Sequence, residues 1–172
     1  MDYSKAFDSI SKSFLLNAFK VFGFGTDFRK WVSVLTTGTK SSINHGGWIS
    51  EAFDTQCGIR QGCPFSPLAF VLAVELIAIK IRNSSITGIK VTTHEDTATI
   101  KIKQLADDTT LFLTESEDMQ KALDIFTLFQ TFSGLRINVH KTKALKLGRQ
   151  RQVANLPFHV VDKIKILGIN FE

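Results

Sequence analysis

The longest apolar stretch of the sequence constrains the fold most. It covers residues 67–79 and contains one charged residue, Glu75. Ser66 followed by Pro67 is a favourable helix start, because a hydroxyl can cap the first turn and proline fits the first helical position. The predicted helix runs to about Arg82 and has little polar surface, so we expect it at the centre of the domain. It is too short and too charged to cross a membrane, which takes about 20 apolar residues.

Three further segments carry apolar residues at helical spacing and are ended by a glycine. They cover residues 11–22, 26–38 and 116–134. Thr26 is the candidate N-cap of the second segment. The predicted buried stripe of the third segment consists of Met119, Leu123, Phe126 and Phe129.

Alternating apolar residues predict strands in the remaining parts of the chain. Two such strands flank residues 106–108, which are predicted to form a tight turn. The pair Gly46-Gly47 is consistent with a second hairpin tip, and the tail alternates again over residues 144–147 and 164–171. The order of elements predicts an α+β domain, with helices packed on one face of a small antiparallel sheet.

The length of the chain suits a single domain, and its charge suits binding to a polyanion. Its 172 residues can bury a real core, and 21 Lys and Arg stand against 16 Asp and Glu. Such an excess is also common in proteins that bind no nucleic acid. A basic stretch fits either a solvated face or a nucleic-acid track. Its cations are Lys141, Lys143, Lys146, Arg149 and Arg151.

The two cysteines indicate the cellular compartment of the protein. Cys57 and Cys63 have neither the spacing of a zinc site nor that of a disulfide framework, and no signal peptide is visible. We therefore expect an intracellular protein that is not secreted, without distinguishing nucleus from cytoplasm.

Adjacent Asp107 and Asp108 at the predicted turn are the most informative local feature. Two neighbouring carboxylates repel each other unless a cation neutralises them, and their hard oxygens suit Mg²⁺. Asp2 lies at the expected end of a strand, so its carboxylate can meet the pair across neighbouring strands. Three carboxylates can hold two metal ions about 3.5–4 Å apart, which clamp the reacting oxygens of a phosphoryl transfer. Local turn hydrogen bonding is the plainer explanation of the pair, and capping of the next helix is the plainer role for Asp8.

The loop at residues 58–67 is the third feature with possible chemistry. Gly58 and Gly62 bracket Arg60 and Gln61. Glycine lets the backbone approach a ligand closely, so this pair can meet phosphate, sugar or a base edge. An elaborate loop without a ligand is the alternative.

Five segments occur in the order and spacing of the reverse-transcriptase motifs A to E. Their amino-acid sequences resemble those of the long interspersed element group of non-LTR retrotransposons. The resemblance covers essentially the whole chain. The segments are SKAFDSIS (4–11, preceded by Asp2), GIRQGCPFSP (58–67), ADDTTLFL (106–113), SGLRINVHKTKA (133–144) and KILGINF (165–171).

The resemblance implies a polymerase palm with partial fingers and no complete thumb. Residues 1–172 would be a fragment of a reverse transcriptase palm domain, from which upstream fingers motifs and a downstream thumb are missing. The implied activity is RNA-directed DNA synthesis, with two Mg²⁺ ions assisting transfer of a nucleotide from a dNTP to a primer 3′-hydroxyl. The implied partners are an RNA template, a DNA primer and the dNTP.

The resemblance also implies a role for each of several residues. Asp2, Asp107 and Asp108 look like the metal ligands, and the Tyr3 carbonyl would be a further one. Phe7 resembles the steric gate that excludes a ribose 2′-hydroxyl.

The remaining roles concern template, leaving group and primer. Arg60, Gln61 and Gly62 resemble the segment that supports the template and the incoming nucleotide. Lys141 resembles a general acid for the departing pyrophosphate. The pair Leu167-Gly168 resembles the primer grip.

One residue departs from the family pattern, and two other functions remain open. Leu105 stands where the family usually has an aromatic residue, and we expect it to pack beneath the turn. The chain can also be a truncated relic that binds nucleic acid without catalysis. A different palm-fold enzyme, such as an RNA-templated RNA polymerase or a nucleotide cyclase, is the third alternative; Phe7 argues against the former and the loop at residues 60–62 against the latter.

Overall fold

The computed structural model describes residues 1–92, 96–147 and 157–172. It is a mixed helix and strand structure with small sheets. Its helices are α1 (Ala6–Ser9), α2 (Lys12–Val21), α3 (Thr26–Thr36), α4 (Phe65–Arg82) and α5 (Ser116–Ser133). No described helix is long and apolar enough to cross a membrane.

The strands are short, and each pairs with one neighbour in the described part of the chain. They are β1 (Tyr3–Ser4), β2 (Lys40–Ser41), β3 (Asn44–His45), β4 (Trp48–Ile49), β5 (Phe53–Asp54), β6 (Ile89–Thr92), β7 (Thr97–Ile100), β8 (Ile102–Leu105), β9 (Asp108–Leu111), β10 (Arg136–Ile137), β11 (Lys143–Leu145), β12 (His159–Val161), β13 (Ile164–Ile166) and β14 (Ile169–Phe171).

The pairing confirms the predicted hairpins but not a single continuous sheet. The hairpins β3–β4 and β8–β9 form around Gly46-Gly47 and residues 106–107, as predicted. The pairs β1–β10, β2–β5, β6–β7 and β13–β14 are also antiparallel, whereas β11 and β12 are parallel. The expected antiparallel sheet is therefore present as small separate ladders.

Helix α4 lies at the centre, as its apolar sequence predicts. Phe70 and Ile77 are fully buried, and the helix packs against α2, α5 and β8. Glu75 is tolerated in this helix because it forms an ion pair with Arg82 at the surface. Hydrophobic burial of this kind stabilises a fold by about 25 cal/mol per Å² of apolar surface removed from water.

The start of α4 differs from the prediction. Pro64 is the N-cap and makes no side-chain cap bond, and Ser66 is buried inside the first turn. The Ser66 amide donates to the Cys63 carbonyl at 3.1 Å, so the turn before the helix already has helical geometry. Ser66 and Pro67 therefore lie inside the helix instead of starting it.

Two further helix starts also refine the sequence prediction. Ser11 caps α2, because its hydroxyl accepts from the Phe14 amide at 3.3 Å; Asp8, the candidate for that role, lies within α1. Gly25 is the N-cap of α3, and Thr26 is its first residue. Both starts fall within one residue of the sequence-based boundary.

Helix α5 ends at Gly134, as predicted, but its buried face is displaced. Asp118, Ala122 and Phe126 are buried at a spacing of four residues. Met119, Leu123 and Phe129 are only half-buried. The predicted stripe was therefore partly wrong, because the helix turns a carboxylate inwards at Asp118.

Candidate active site

The segment that carries Asp2 lies between strand β9 and strand β10. On one side, the Met1 nitrogen donates to the Thr109 carbonyl, and the Thr109 amide donates to the Met1 carbonyl at 3.1 Å. On the other side, Tyr3 pairs with Ile137, and the Asn138 amide donates to the Asp2 carbonyl at 2.8 Å. Backbone hydrogen bonds therefore hold this segment from both sides.

The register of these bonds brings Asp2 and Asp108 together in space, although they are far apart in the chain. Two residues that exchange both backbone bonds form an antiparallel pair, so the next residues of each strand, Asp2 and Asp108, lie opposite each other. Burial lowers the pKa of the Met1 amino group, and the charges of Asp108 and Asp2 oppose this shift. Both carboxylates therefore act on the same nitrogen.

Alternation along these strands separates a buried face from an open one. Tyr3 and Thr109 point into the core, where the Tyr3 ring meets Phe70 edge-on at a centroid distance of 6.5 Å. Burial raises the pKa of the Tyr3 hydroxyl to about 12. Asp2 and Asp108 lie on the opposite face, away from the helices.

Leu105 belongs to the open face, contrary to the expectation that it packs beneath the turn. It pairs directly with Asp108 in the hairpin, and 60 % of its surface is exposed. Directly opposed residues of an antiparallel pair project to the same side of the sheet. Leu105 therefore lies beside the acidic side chains and leaves the core position to Thr109.

Lys141 forms an ion pair with Asp2. Its Nζ lies 3.5 Å from Asp2 Oδ2, and its backbone amide donates to the Asn138 carbonyl at 3.2 Å. The turn at residues 138–141 thus holds the ammonium group next to a carboxylate, although the Lys141 side chain is largely exposed.

The carboxylates supply the oxygen donors that suit Mg²⁺, on a face that solvent reaches. Their chemistry and the opposed positions of Asp2 and Asp108 fit divalent ions. Within the described ranges, however, no three acidic, histidine or cysteine side chains converge closely enough to hold an ion. The Asp2 carboxylate is turned towards Lys141 instead. The assignment of Asp2, Asp107 and Asp108 as metal ligands therefore stays a prediction.

Phe7 lies in α1, immediately after the Asp2 segment. Its ring stacks on Phe70 with a centroid distance of 4.8 Å and an interplanar angle of 19°. Because Phe70 is fully buried in α4, one side of the Phe7 ring rests on the core and the residue stays half-exposed. Sequence reasoning did not identify Phe70 as the support of this ring, since nothing local links two residues so far apart.

The loop at residues 57–62 packs directly on α1. The Ile59 amide donates to the Phe7 carbonyl and the Gly58 amide to the Ile10 carbonyl, each at 2.8 Å. A Cβ on Gly58 would lie 2.9 Å from the Asp8 carbonyl oxygen. The close approach that glycine allows here is therefore to the protein's own backbone. At Gly62, by contrast, a Cβ would meet nothing within 4 Å.

Arg60, Gln61 and Gly62 are exposed at the tip of this loop. Gln61 Nε2 donates to Asp8 Oδ1 at 3.0 Å. The residues that resemble a nucleotide-supporting segment are thus next to Phe7 in space, although about 50 positions separate them in the chain. The sequence contained no signal for the Asp8–Gln61 bond.

Leu167 and Gly168 form the turn of the β13–β14 hairpin, both with positive φ, at 48° and 88°. No hydrogen bond or ion pair between described residues joins this hairpin to Asp2, Asp107 or Asp108. Their role as a primer grip stays a prediction. Lys143 and Lys146 of the basic stretch are exposed, whereas Arg149 and Arg151 lie outside the described residues.

Comparison with known proteins identifies the family. Residues 1–171 match the family described as reverse transcriptase (RNA-dependent DNA polymerase). The chain is 32 % identical to the Pol polyprotein of the type-2 retrotransposable element R2DM of Drosophila melanogaster, over 99 % of its own length. It is 24 % identical to the transposon TX1 149 kDa protein of Xenopus laevis over 86 % of the chain, and 25 % identical to the type-1 R2 Pol polyprotein of Popillia japonica over 84 %.

These relatives are much longer proteins. The chain spans 17 %, 11 % and 23 % of their respective lengths. The match nevertheless extends over nearly every residue of this chain and includes the acidic turn, the glycine-bracketed loop and the final hairpin. The chain therefore belongs to the reverse transcriptase (RNA-dependent DNA polymerase) family, in its non-LTR retrotransposon group.

Proposed function

We propose that this chain carries the catalytic palm of an RNA-directed DNA polymerase, which extends a DNA primer on an RNA template. The main support is the pair of backbone hydrogen bonds between Met1 and Thr109, because their register sets Asp2 opposite Asp108. An active site for nucleotidyl transfer needs acids from separate chain segments at one place. The family match over residues 1–171 supports the same activity.

In this proposal, Asp2, Asp107 and Asp108 hold two Mg²⁺ ions, with the Tyr3 carbonyl as a further ligand. Bound Mg²⁺ would lower the pKa of the primer hydroxyl and stabilise negative charge on the leaving pyrophosphate. The protein's own contribution is to hold its carboxylates on an open face with the Tyr3 ring anchored in the core beneath them.

The residues around the acids would orient the reactants and move a proton. Phe7, supported by Phe70, would meet the sugar of the incoming nucleotide and exclude a 2′-hydroxyl. The segment Arg60, Gln61 and Gly62 would support the template and the nucleotide. Lys141, already beside Asp2, would give a proton to the pyrophosphate.

Template and primer would be held mainly through their backbones. Base pairing reads the template sequence, so the protein need only contact phosphate and sugar. The exposed Lys143 and Lys146, together with the turn at Leu167-Gly168, are the proposed contacts. This assignment suits the net charge of +5.

The test is primer extension on RNA with Mg²⁺ and the four dNTPs. Because the chain spans 17 % of the Drosophila relative, it is assayed alone and also as a chimaera that replaces the matching segment of that relative. We expect extension by the chimaera and a loss of about 10²-fold to 10³-fold in Asp107→Ala, since that change weakens electrostatic stabilisation of the charge that develops during transfer. The isolated chain should not synthesise processively.

Two outcomes would contradict the proposal. Full activity of the Asp107→Ala chimaera would remove Asp107 from the site. A chimaera that binds primed RNA yet adds no nucleotide would favour the alternative that this segment is an inactive, nucleic-acid-binding relic. The Asp124→Ala chimaera is the matched control, because Asp124 is an exposed acid on α5 and its loss should leave activity unchanged.

A further inference from the structure

The contacts between α1 and the loop at residues 57–62 single out Asp8. Its backbone carbonyl accepts from the Cys57 thiol at 3.3 Å, and its Oδ1 accepts from Gln61 Nε2 at 3.0 Å. It lies next to Phe7 in α1 and its side chain reaches the tip of the loop. Asp8 therefore touches both segments that the proposed function uses for nucleotide selection.

The base of the loop and its tip are held in different ways. At the base, two backbone bonds and the tight contact of Gly58 with the Asp8 backbone hold the loop. At the tip, Gly62 has open space around it and Arg60 and Gln61 are exposed. The hydrogen bond to Asp8 is the side-chain link that restrains this tip in the described structure.

We infer that Asp8 is a positioning residue: its carboxylate holds Gln61 and so sets the loop tip at a defined position beside the Phe7 ring. The inference rests on the proposed function for its consequence, because a loosened tip would bind the incoming nucleotide less well. A hydrogen bond to a charged acceptor is stronger than one between neutral groups, which suits this role at an exposed site.

The first test does not depend on catalysis. Amide hydrogen exchange is measured in the full chain at Cys63, whose amide donates to the Arg60 carbonyl at 3.4 Å across the loop tip, and we expect this exchange to be about threefold to tenfold faster in Asp8→Ala. The rate for Asp8→Asn should lie between those of the wild type and Asp8→Ala, because its amide oxygen can still accept from Gln61 but carries no charge. Asp124→Ala is the matched control, since Gln120 donates to Asp124 at 2.8 Å in an equally exposed Gln–Asp pair.

A rescue experiment separates positioning from a general loss of stability. Gln61→Glu sets two carboxylates against each other and should speed exchange of the Cys63 amide. Adding Asp8→Asn supplies an amide donor to the new carboxylate, and we expect exchange to return to within about twofold of the wild type. A merely structural effect of either substitution would not be reversed by the second one.

The functional readout is the Kd of a matched dNTP, measured on primed RNA with Mg²⁺ for the chimaera described above. We expect a rise of about threefold to tenfold in Asp8→Ala and none in Asp124→Ala. Unchanged exchange of the Cys63 amide in Asp8→Ala, or no rescue by the double variant, would overturn the inference. Absence of dNTP binding by the wild type would instead count against the proposed function, and the exchange result would still decide whether Asp8 positions the loop.

Discussion

At the scale of single residues, an aromatic stack supports the proposed selectivity for deoxynucleotides. Phe7 is half-exposed, and its ring lies nearly parallel to the buried ring of Phe70. A ring fixed from below cannot move away from an added oxygen on the sugar. The selectivity of such a gate depends on how rigidly it is held, as well as on its size.

Replacing this ring tests the gate. In Phe7→Val we expect discrimination against ribonucleotides to fall by about 10-fold to 100-fold, because the smaller side chain leaves room for a 2′-hydroxyl. The measurement is the ratio of kcat/KM for a dNTP to that for the matching ribonucleotide. Phe14→Val is the control, since Phe14 packs edge-on against Phe129 at 5.3 Å and loses the same atoms. Equal ratios in all three proteins would show that Phe7 is not the gate.

At the scale of elements, the docking of the loop on α1 depends on one glycine. Gly58 and Gly62 have nearly the same φ, 84° and 80°, but only Gly58 meets backbone atoms at the position of a Cβ. Both glycines were expected to bring the backbone close to a ligand. In the structure they differ, because one lies against α1 and the other faces open space.

Alanine substitutions at Gly58 and Gly62 allow the cost of a strained backbone to be measured separately from the cost of a steric clash. Gly62→Ala should lower the free energy of unfolding by about 1 kcal/mol, because alanine is strained at positive φ. Gly58→Ala should lower it by roughly 2–4 kcal/mol, since its Cβ also collides with the Asp8 backbone. Urea denaturation measures both values. Equal losses would mean that the loop moves away from α1 at little cost.

At the scale of the whole molecule, a buried carboxylate joins α5 to the segment before β6. Asp118 is fully buried; its Oδ2 accepts from the Thr87 amide at 2.9 Å, and its Oδ1 lies 3.1 Å from Lys121 Nζ. Burial by itself would raise the pKa of Asp118, but the bonds from Thr87 and Lys121 outweigh it and hold this pKa below its usual value. The charged form is therefore the one that stabilises the fold.

The sign of this shift predicts how stability depends on pH. Because the pKa is lower in the folded state, Asp118 contributes fully above the unfolded pKa of about 3.9, and this contribution is lost as pH falls through the folded pKa. At pH 7, Asp118→Ala should lower the free energy of unfolding by roughly 2 kcal/mol. The difference from the wild type should shrink in acid, as measured by urea denaturation from pH 7 to pH 2.

The exposed Asp124 is the control for the buried Asp118. Asp124→Ala should change the free energy of unfolding by less than about 0.5 kcal/mol at either pH, because exposed polar contacts contribute little. A pH-independent loss in Asp118→Ala would show that this carboxylate stabilises the fold only through packing.

The sequence by itself determined the central helix α4, the hairpin around residues 106–107, the C-terminal end of α5 at Gly134 and the family of the chain. These features depend on the spacing of apolar residues, on turn residues and on the sequences of short motifs, each of which involves a few neighbouring positions. The starts of α2 and α3 were predicted to within one residue and that of α4 to within two, because several nearby groups can satisfy the first amides of a helix.

Only the tertiary structure decided which distant residues meet. Asp2 lies beside Asp108, Gly58 lies against Asp8, Asp118 is turned inwards and Leu105 outwards, and no local pattern distinguishes these outcomes from their alternatives. The reason is physical: such contacts depend on which face each element buries, and a shift of one residue reverses that face in a strand. Local sequence specifies the elements, whereas the packing of α4 against its neighbours selects the faces that come together.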